Sequence, residues 1–507
     1  MISTVDQSRT PLLTALLQQA TAPHLRFYTP GHKGGPGSSA QMLAAFGAAV
    51  CRADLPELPG FDNLFAPQAS IQAAQELAAA AFGADHTYFL VNGSSGGLMA
   101  ALLSVCRPGE EVIVPRNSHQ SILHGLILAG ARPIWMWPSR EEDIAHCLTP
   151  AALAAAISAY PQAKAAIAIS PSYEGVCGNV AGLARVAHQG GIPLIVDEAH
   201  GPHLGFHPAY PASALSQGAD LVVQSTHKVL SAFSQASMLH CRGHRIDRHR
   251  LQASLRMIQT SSPSALLLAS LDAARQQWAT QGEPILEAAL TMVRQARRQI
   301  QAIPNLDLLA PAPDVGDPEQ SGFVALDPLR LTIKTQGLGI DGFHFDDQLA
   351  SRFQILAELP AQNHLTFTLG LGNSAADLDQ LVQAVQTLCS DWAEQQNHTQ
   401  QISRSPLQVQ KASFQDPLTP RRSTLTPQAA FNATSQTVPL ERAVGRISQA
   451  LVCPYPPGIP ILFPGETITA EAIAQLCQTR EAGGFIVGAA DAPATSLQVI
   501  GFDEAQP

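Results

Sequence analysis

The chain has 507 residues, 46% of them hydrophobic and only 14% charged, with a formal net charge of −10 and a sequence pI of about 5.9. That length and apolar content allow a large core divided over roughly two to four domains. The acidic balance argues against nucleic acid or an anionic membrane surface as the main partner. Cys51, Cys106, Cys147, Cys177, Cys241, Cys389, Cys453 and Cys477 are scattered and form no C-x-x-C pair, so no zinc knuckle or redox motif is indicated and a reducing compartment fits. The first residues, MISTVDQSRTPLLTALLQQA, lack a basic stretch followed by a long apolar run, and no segment of about 18 apolar residues occurs. A cytoplasmic protein without a secretory signal or membrane span is the expectation.

From about residue 66 to 225 the pattern alternates helix and strand. Residues 66–82 read as a helix capped by Gly83, and HTYFLV (86–91) as a strand. NGSSGG (92–97) opens an apolar helix that stops at Pro108-Gly109. EVIVP is a strand, 119–129 a helix, RPIWMW a strand, AAIAIS a strand, 182–189 a helix, and PLIVD and ADLVVQS strands. Short, continuously apolar strands between helices predict an α/β fold with a mostly parallel central sheet covered on both faces. Residues 245–300 read as amphipathic helix, and 302–390 as a second, smaller α/β region with RLTIKT, LTFTLG and a helix over 375–389. A polar stretch rich in Gln, Ser, Thr and Pro follows, and a small C-terminal α+β domain begins near 428. The expected division is an N-terminal arm (1–60), a major domain (61–300), a small domain (301–390), a polar linker (391–427) and a C-terminal domain (428–507).

In an open parallel sheet, ligands bind beyond the carboxyl ends of the strands. Ser94 and Ser95 follow the first strand at a helix N-terminus, a ready site for phosphate. Arg116-Asn117-Ser118-His119 follows EVIVP, Asp197-Glu198-Ala199-His200 closes PLIVD, and Ser225-Thr226-His227-Lys228 follows ADLVVQ. Each piece alone is weak: a glycine-serine turn is most often just a turn, an Asp at a strand end is often a cap, and a lone Lys is usually a solvated surface group. Together they supply a phosphate nest, a carboxylate and an amine that can converge. Pyridoxal 5′-phosphate (PLP) needs that set. Lys228 would form the Schiff base, its amine activated by its surroundings. Asp197 would keep the pyridine nitrogen protonated, so the ring remains an electron sink. Ser94, Ser95, Ser225 and His227 would hold the phosphate, and His119 could stack on the ring.

The pieces TPGHKGG (29–35), PGFDNLFAP (59–67), NGSSGG (92–97), RNSHQS (116–121), DEAHG (197–201), STHK (225–228) and TSSPS (260–264) resemble the bacterial Orn/Lys/Arg decarboxylase family. VPLERAVGRISQALVCPYPPGIPILFPGE (438–466) resembles that family's C-terminal domain. The resemblance runs over nearly the whole chain. It implies a fold-type I PLP enzyme of the aspartate aminotransferase superfamily that decarboxylates arginine, lysine or ornithine, with a role in polyamine supply. Lys228 is then the Schiff-base lysine, Asp197 the pyridinium partner and His119 the stacking residue. Ala199 packs on the ring, and Ser94, Ser95, His200, Ser225 and His227 bind the cofactor. Ser262 lies in an element that the partner subunit donates to the phosphate, which implies a homodimer with shared active sites, open to further assembly. Larger family members carry an N-terminal wing before the PLP domain; this chain resembles the short form and is expected to lack any assembly built by that wing.

Glu466, Asp62 and Glu57 are candidates to meet the substrate's distal cation, each with capping or loop structure as the plainer explanation. Either His227 or Lys228 could return a proton to Cα. His200, His203 and His207 lack an accompanying carboxylate motif, so packing and not metal binding is expected of them. Trp135 and Trp137, two apart on a strand, share a face and read as packing. Two other functions compete. An aminotransferase or β-lyase would need an arginine to clamp the α-carboxylate, and Arg330 and Arg352 lie in the relevant region. A catalytically silent regulatory relative would not be expected to keep Lys228, Asp197 and His119.

Overall fold

A computed structural model describes residues 5–141, 143–312, 316–398, 418–423, 425–455, 460–481 and 485–501. In chain order its principal elements begin with helix α1 (Pro11–Thr21), α2 (Ser70–Phe82), strand β1 (His86–Leu90), α3 (Gly93–Val105), β2 (Glu111–Pro115), α4 (Gln120–Ala129) and β3 (Arg132–Met136). There follow β4 (Ala166–Ile169), α5 (Val180–Gln189), β5 (Leu194–Asp197), β6 (Leu221–Gln224), β7 (Ser237–Cys241), α6 (Arg248–Ile258) and α7 (Ala265–Gln301). The remainder comprises β8 (Asp307–Leu308), β9 (Arg330–Lys334), β10 (Leu359–Pro360), β11 (His364–Thr368), α8 (Ala375–His398) and β12 (Arg421–Arg422). The C-terminal part holds β13 (Ser435–Pro439), β14 (Cys453–Tyr455), α9 (Ala470–Glu481), β15 (Phe485–Val487) and β16 (Ser496–Ile500). The chain divides into two compact units, Met1–Val105 with Pro193–Leu286, and Cys106–Ile192 with Glu287–Pro507.

In the first unit β5 and β6 run parallel, pairing Val196 with Val222 and Asp197 with Val223. Strand β7 runs against both β6 and β1. It is the element that the sequence reading passed over: SMLHC is a short run in a segment without a turn signal ahead of it. All residues of β5, β6 and β7 are buried, as expected of strands covered on both faces. Helix α3 presses close on the strands at Gly97, where a Cβ would stand 2.6 Å from Leu90 Cδ1 and 2.9 Å from Val223 Cγ1. The last glycine of NGSSGG is therefore needed for helix–strand packing. Where continuous helix was expected over 245–300, α6 and α7 are separated at 259–264, the stretch holding Ser262 and Pro263. α6 ends at an extended Gln259, and Pro263 disfavours helical backbone at Ser262, so the two helices do not join.

The apolar core of this unit gathers Leu12, Leu16, Phe61, Ile71, Phe89, Met238, Leu268 and Leu271. A buried ion pair on α7 fixes the start of α1. Asp272 Oδ2 accepts the Leu12 and Leu13 N–H groups at 2.9 and 3.3 Å. Arg275 donates to Gln7 O and Arg9 O at 2.7 and 2.6 Å, and pairs with Asp272. Both side chains are fully buried. Asp272→Ala is expected to destabilise the fold by about 3–5 kcal/mol, because it leaves the Arg275 charge buried and uncompensated. A denaturant-melting midpoint unchanged from the wild type would contradict that.

In the second unit β2 runs parallel to β3 and to β4. Strand β12 adds antiparallel to β3, and Trp135 Nε1 donates to Ser423 Oγ at 2.7 Å. A separate antiparallel sheet has the order β8-β9-β11-β10. The polar segment expected over 391–427 falls in part outside the described residues. Of those described, 391–398 complete α8, and 421–422 form β12. The C-terminal part pairs β13 with β16 and β14 with β15 around Val438, Leu462, Leu476, Leu497 and Val499. No helix among the described residues is long and apolar enough to cross a membrane.

Candidate active site

In the first unit the carboxyl ends of β1, β5 and β6 carry the residues singled out above. Asp197 ends β5 and is 5% exposed. The Ala199 N–H donates to its Oδ1 at 3.1 Å, which fixes the turn after the strand. Burial pushes the Asp197 carboxyl pKa up, opposed by the positive charge of Lys228 and by that hydrogen bond. Lys228 sits in a one-turn helix, Thr226–Val229, directly after β6. Its Nζ lies 2.8 Å from His200 Nε2. An ammonium donates, so this nitrogen of His200 is the unprotonated one.

The serines converge as well. Ser225 Oγ donates to Ser94 Oγ at 2.7 Å, joining the residue after β6 to the first turn of α3. Beside Ser225, the Thr226 hydroxyl is buried without a hydrogen-bond partner. Helix N-termini leave N–H groups unpaired, and a buried orphan hydroxyl next to one has an acceptor missing. His227 Nδ1 lies 3.0 Å from Ala236 O. A carbonyl only accepts, so Nδ1 carries the proton in the neutral ring and Nε2 does not. Burial lowers the His227 pKa and Lys228 adds to this, against the Ala236 hydrogen bond.

The segment after α6 is stitched to the same strand end. Asn92 Nδ2 donates to Ile258 O at 3.1 Å, and Gln259 Oε1 accepts the Val91 N–H at 2.9 Å. Ser262 then lies exposed, its N–H on Thr260 Oγ1 at 3.1 Å. Asp62 accepts N–H groups from Asn63, Gln68, Ala69, Ile71 and Gln72, at 2.8 to 3.3 Å. Glu57 accepts from Leu64 N at 2.8 Å and from Asn63 Nδ2. These bonds set Asp62 over the N-terminus of α2 as a cap and tie Glu57 to the turn at Asn63 and Leu64.

The second unit holds His119, Arg116 and Glu466. His119 is the N-cap of α4; its Nδ1 accepts from Ser121 N at 3.2 Å and lies 2.9 Å from Ser121 Oγ. Its proton is therefore on Nε2. Arg116 pairs with Glu466 at 2.8 Å and donates to Ile461 O at 3.2 Å. The guanidinium also lies 4.1 Å from the Phe463 ring centre and 5.4 Å from that of Trp135. The Glu466 carboxylate thus already binds a guanidinium. Arg330 is buried beside Asp327 and donates to the Thr368 hydroxyl, and Arg352 pairs with Asp391 at 2.6 Å on the surface. Neither guanidinium is left for clamping a carboxylate. His203 and His207 pack edge-on against Tyr210 at 5.7 and 5.6 Å, and no His, Cys, Asp and Glu cluster fit for a metal occurs among the described residues.

In the first unit Thr226, and in the second Arg116, are residues that sequence reasoning left without a role. Both stood inside quoted motifs, but a motif does not say which hydroxyl is orphaned or which guanidinium is paired.

Residues 10–376 match the family model of the Orn/Lys/Arg decarboxylase major domain, and residues 407–483 that of the Orn/Lys/Arg decarboxylase C-terminal domain. The chain belongs to the Orn/Lys/Arg decarboxylase family. The arginine decarboxylase of Bacillus subtilis is 35% identical over 498 residues, covering 98% of this chain and 99% of its own. That of Halalkalibacterium halodurans is 37% identical over 506 residues, again covering 98% and 99%. Among solved structures, lysine decarboxylase A from Pseudomonas aeruginosa matches with a TM-score of 0.81 at 22% identity, over 97% of this chain and 81% of that one. That likeness is one of fold, the fold-type I arrangement. As a member of the Orn/Lys/Arg decarboxylases, this chain is an amino-acid decarboxylase, and its mixed α/β architecture is the one expected from sequence.

Proposed function

We propose that the protein is a PLP-dependent arginine decarboxylase that releases agmatine and CO₂ and works in the cytoplasm as a homodimer. The observation that carries the reading is the Lys228 amine at the end of β6, within electrostatic reach of the buried Asp197 carboxylate at the end of β5. The residues fit the cofactor. Asp197 is a buried anion that gains from a cation such as a pyridinium. Thr226 is a buried hydroxyl without a partner, beside Ser225 and Ser94 at a helix N-terminus, as a phosphate needs. Lys228 would take the cofactor's aldehyde, and Ser94, Ser95, Ser225, Thr226, Ala199, His200 and His227 would line it. His119 is the proposed ring-stacking residue. Ser262 of the partner subunit would complete the phosphate site, and its exposure suits that role.

When bound, PLP supplies a sink for the electron pair left as the Cα–carboxylate bond breaks. The chain's part is to hold Cα and to return a proton to it. Lys228, in place of His227, is the proposed proton donor. His227 spends its Nδ1–H on Ala236 O, and burial with the neighbouring ammonium resists a second proton on the ring. Arg330 and Arg352 are both engaged elsewhere, which disfavours an aminotransferase. Arginine is preferred over lysine and ornithine because the relatives at 35% and 37% identity, matched over nearly their whole length, are arginine decarboxylases. Glu466 is the proposed partner of the substrate's distal group, which it would bind in competition with, or beside, the guanidinium of Arg116.

Glu466→Gln is expected to raise KM for arginine about tenfold or more, with a smaller change in kcat, since a charge-assisted pair at a partly buried site is worth about 1.5–3 kcal/mol. Steady-state kinetics checks this. An unchanged KM removes Glu466 from the substrate site and leaves it as a structural partner of Arg116.

A further inference from the structure

Val91 joins strand β1 to residues 92–95, the entry of α3, and lies just beyond the last pair of the β1–β7 ladder, Leu90 with Ser237. It is 1% exposed, so its peptide groups must find partners within the protein. Two glutamine side chains supply them. Gln259, at the end of α6, accepts the Val91 N–H on Oε1 at 2.9 Å and donates from Nε2 to Phe89 O at 3.4 Å, as a neighbouring strand would. Gln235 donates from Nε2 to Val91 O. A carbonyl only accepts and a backbone N–H only donates, so the partners set both amide orientations.

Gln235 reaches Val91 from a tight turn. The Ala236 N–H closes that turn on Phe233 O at 3.0 Å, and the Phe233 N–H is held by Ser270 Oγ of α7 at 3.2 Å. Gln235 is the third residue of the turn and has φ 82°, in the left-handed region that glycine enters freely and a residue with a Cβ does not. A side chain kept in such a conformation points to a task for that side chain. The next residue holds a different segment: Ala236 O accepts the His227 N–H at 3.2 Å and lies 3.0 Å from His227 Nδ1. One bend therefore ties the strand end ahead of Ser94 to the segment that carries Lys228. Gln235 O also stands over the α3 entry, 3.9 Å from where a Cβ on Gly93 would be.

We propose that Gln235 is a positioning residue for the cofactor's phosphate: by fixing the Val91 peptide group it sets residues 92–95, so that Ser94 and the first N–H groups of α3 are in place before the phosphate arrives. The inference rests on the proposed PLP site. The α3 entry hangs from β1 through Val91, and its backbone is irregular, with Gly93 at φ 70°. Ser225 Oγ reaches Ser94 Oγ at 2.7 Å only while that entry keeps its place beside the end of β6. Without the Gln235 amide, the buried Val91 carbonyl loses its donor. The phosphate must then order the α3 entry as it binds, and binding weakens. The ring end of the site, with Asp197 and Lys228, makes no use of the Gln235 side chain.

The test is titration of the full chain, freed of cofactor, with PLP and with pyridoxal, which lacks the phosphate, followed by the ligand's absorbance. The wild type should bind PLP far more tightly than pyridoxal; equal affinities would overturn the phosphate site itself, and the proposal with it. In Gln235→Gly the preference for PLP should fall about tenfold, the worth of one hydrogen bond lost from a buried acceptor, with pyridoxal affinity unchanged. Glycine takes a φ of 82° without strain, so the melting temperature of the cofactor-free variant should stay near that of the wild type. Gln235→Met keeps the length of the side chain and lacks the N–H. It should lose the same preference, and it decides should the glycine variant fail to fold. A PLP-to-pyridoxal affinity ratio at the wild-type value in a folded variant, whether because neither ligand weakens or because both weaken alike, overturns the proposal.

Discussion

Replacing Lys228 with alanine is expected to reduce amine release from arginine to background. Two separate contributions are lost. The amine that would anchor the cofactor is gone, and so is the group proposed to protonate Cα. The proton-transfer role alone is worth about 10²–10⁴-fold. His227 cannot take it over, because its Nδ1–H is held by Ala236 O and its ring resists a positive charge. The substitution also removes the Nζ that lies 2.8 Å from His200 Nε2 in the wild type. Added small amines would restore part of the rate if the lost function is that of an amine, and they give a check that misfolding would not pass. Turnover within tenfold of the wild type would contradict the assignment.

Asp197→Asn is expected to lower kcat by about 10²–10³-fold, the scale seen when one preorganised electrostatic partner of developing charge is removed. The amide has nearly the same shape and can keep the Ala199 N–H as donor to its oxygen, so the turn after β5 should survive. It carries no negative charge, and a pyridine nitrogen opposite it would no longer be held protonated. The absorption spectrum of the loaded variant should then change along with kcat, while KM for arginine moves little. A variant with wild-type kcat and spectrum would show that Asp197 only caps the turn. Acid should act in the same direction. Burial raises the Asp197 pKa above the ordinary carboxylate value, so its charge, and with it activity, should fade at a higher pH than for an exposed aspartate.

How much of this was legible in the sequence follows from the physics of each element. Strands β2, β5 and β6 stood out as unbroken apolar runs between turn signals, and their ends named Lys228, Asp197 and Ser225 before any coordinates. Ser94 and Ser225 were read as neighbours only because both follow strands; the 2.7 Å bond between them is tertiary and has no local signal. Strand β7 escaped because five residues of mixed composition carry no period. Asp62 was ambiguous for the opposite reason. A carboxylate in a loop ahead of a helix looks the same whether it binds a ligand or caps the helix, and its five N–H donors appear only in the fold.

The most direct test of the central claim is an assay of the purified, PLP-loaded protein with arginine, lysine and ornithine in parallel, following CO₂ and amine together. Agmatine and CO₂ in equal amounts from arginine, with far slower reaction of the other two, is the predicted result. Amine from lysine or ornithine in preference to arginine would contradict the proposed substrate, and no amine from any of the three would contradict basic amino-acid decarboxylation itself.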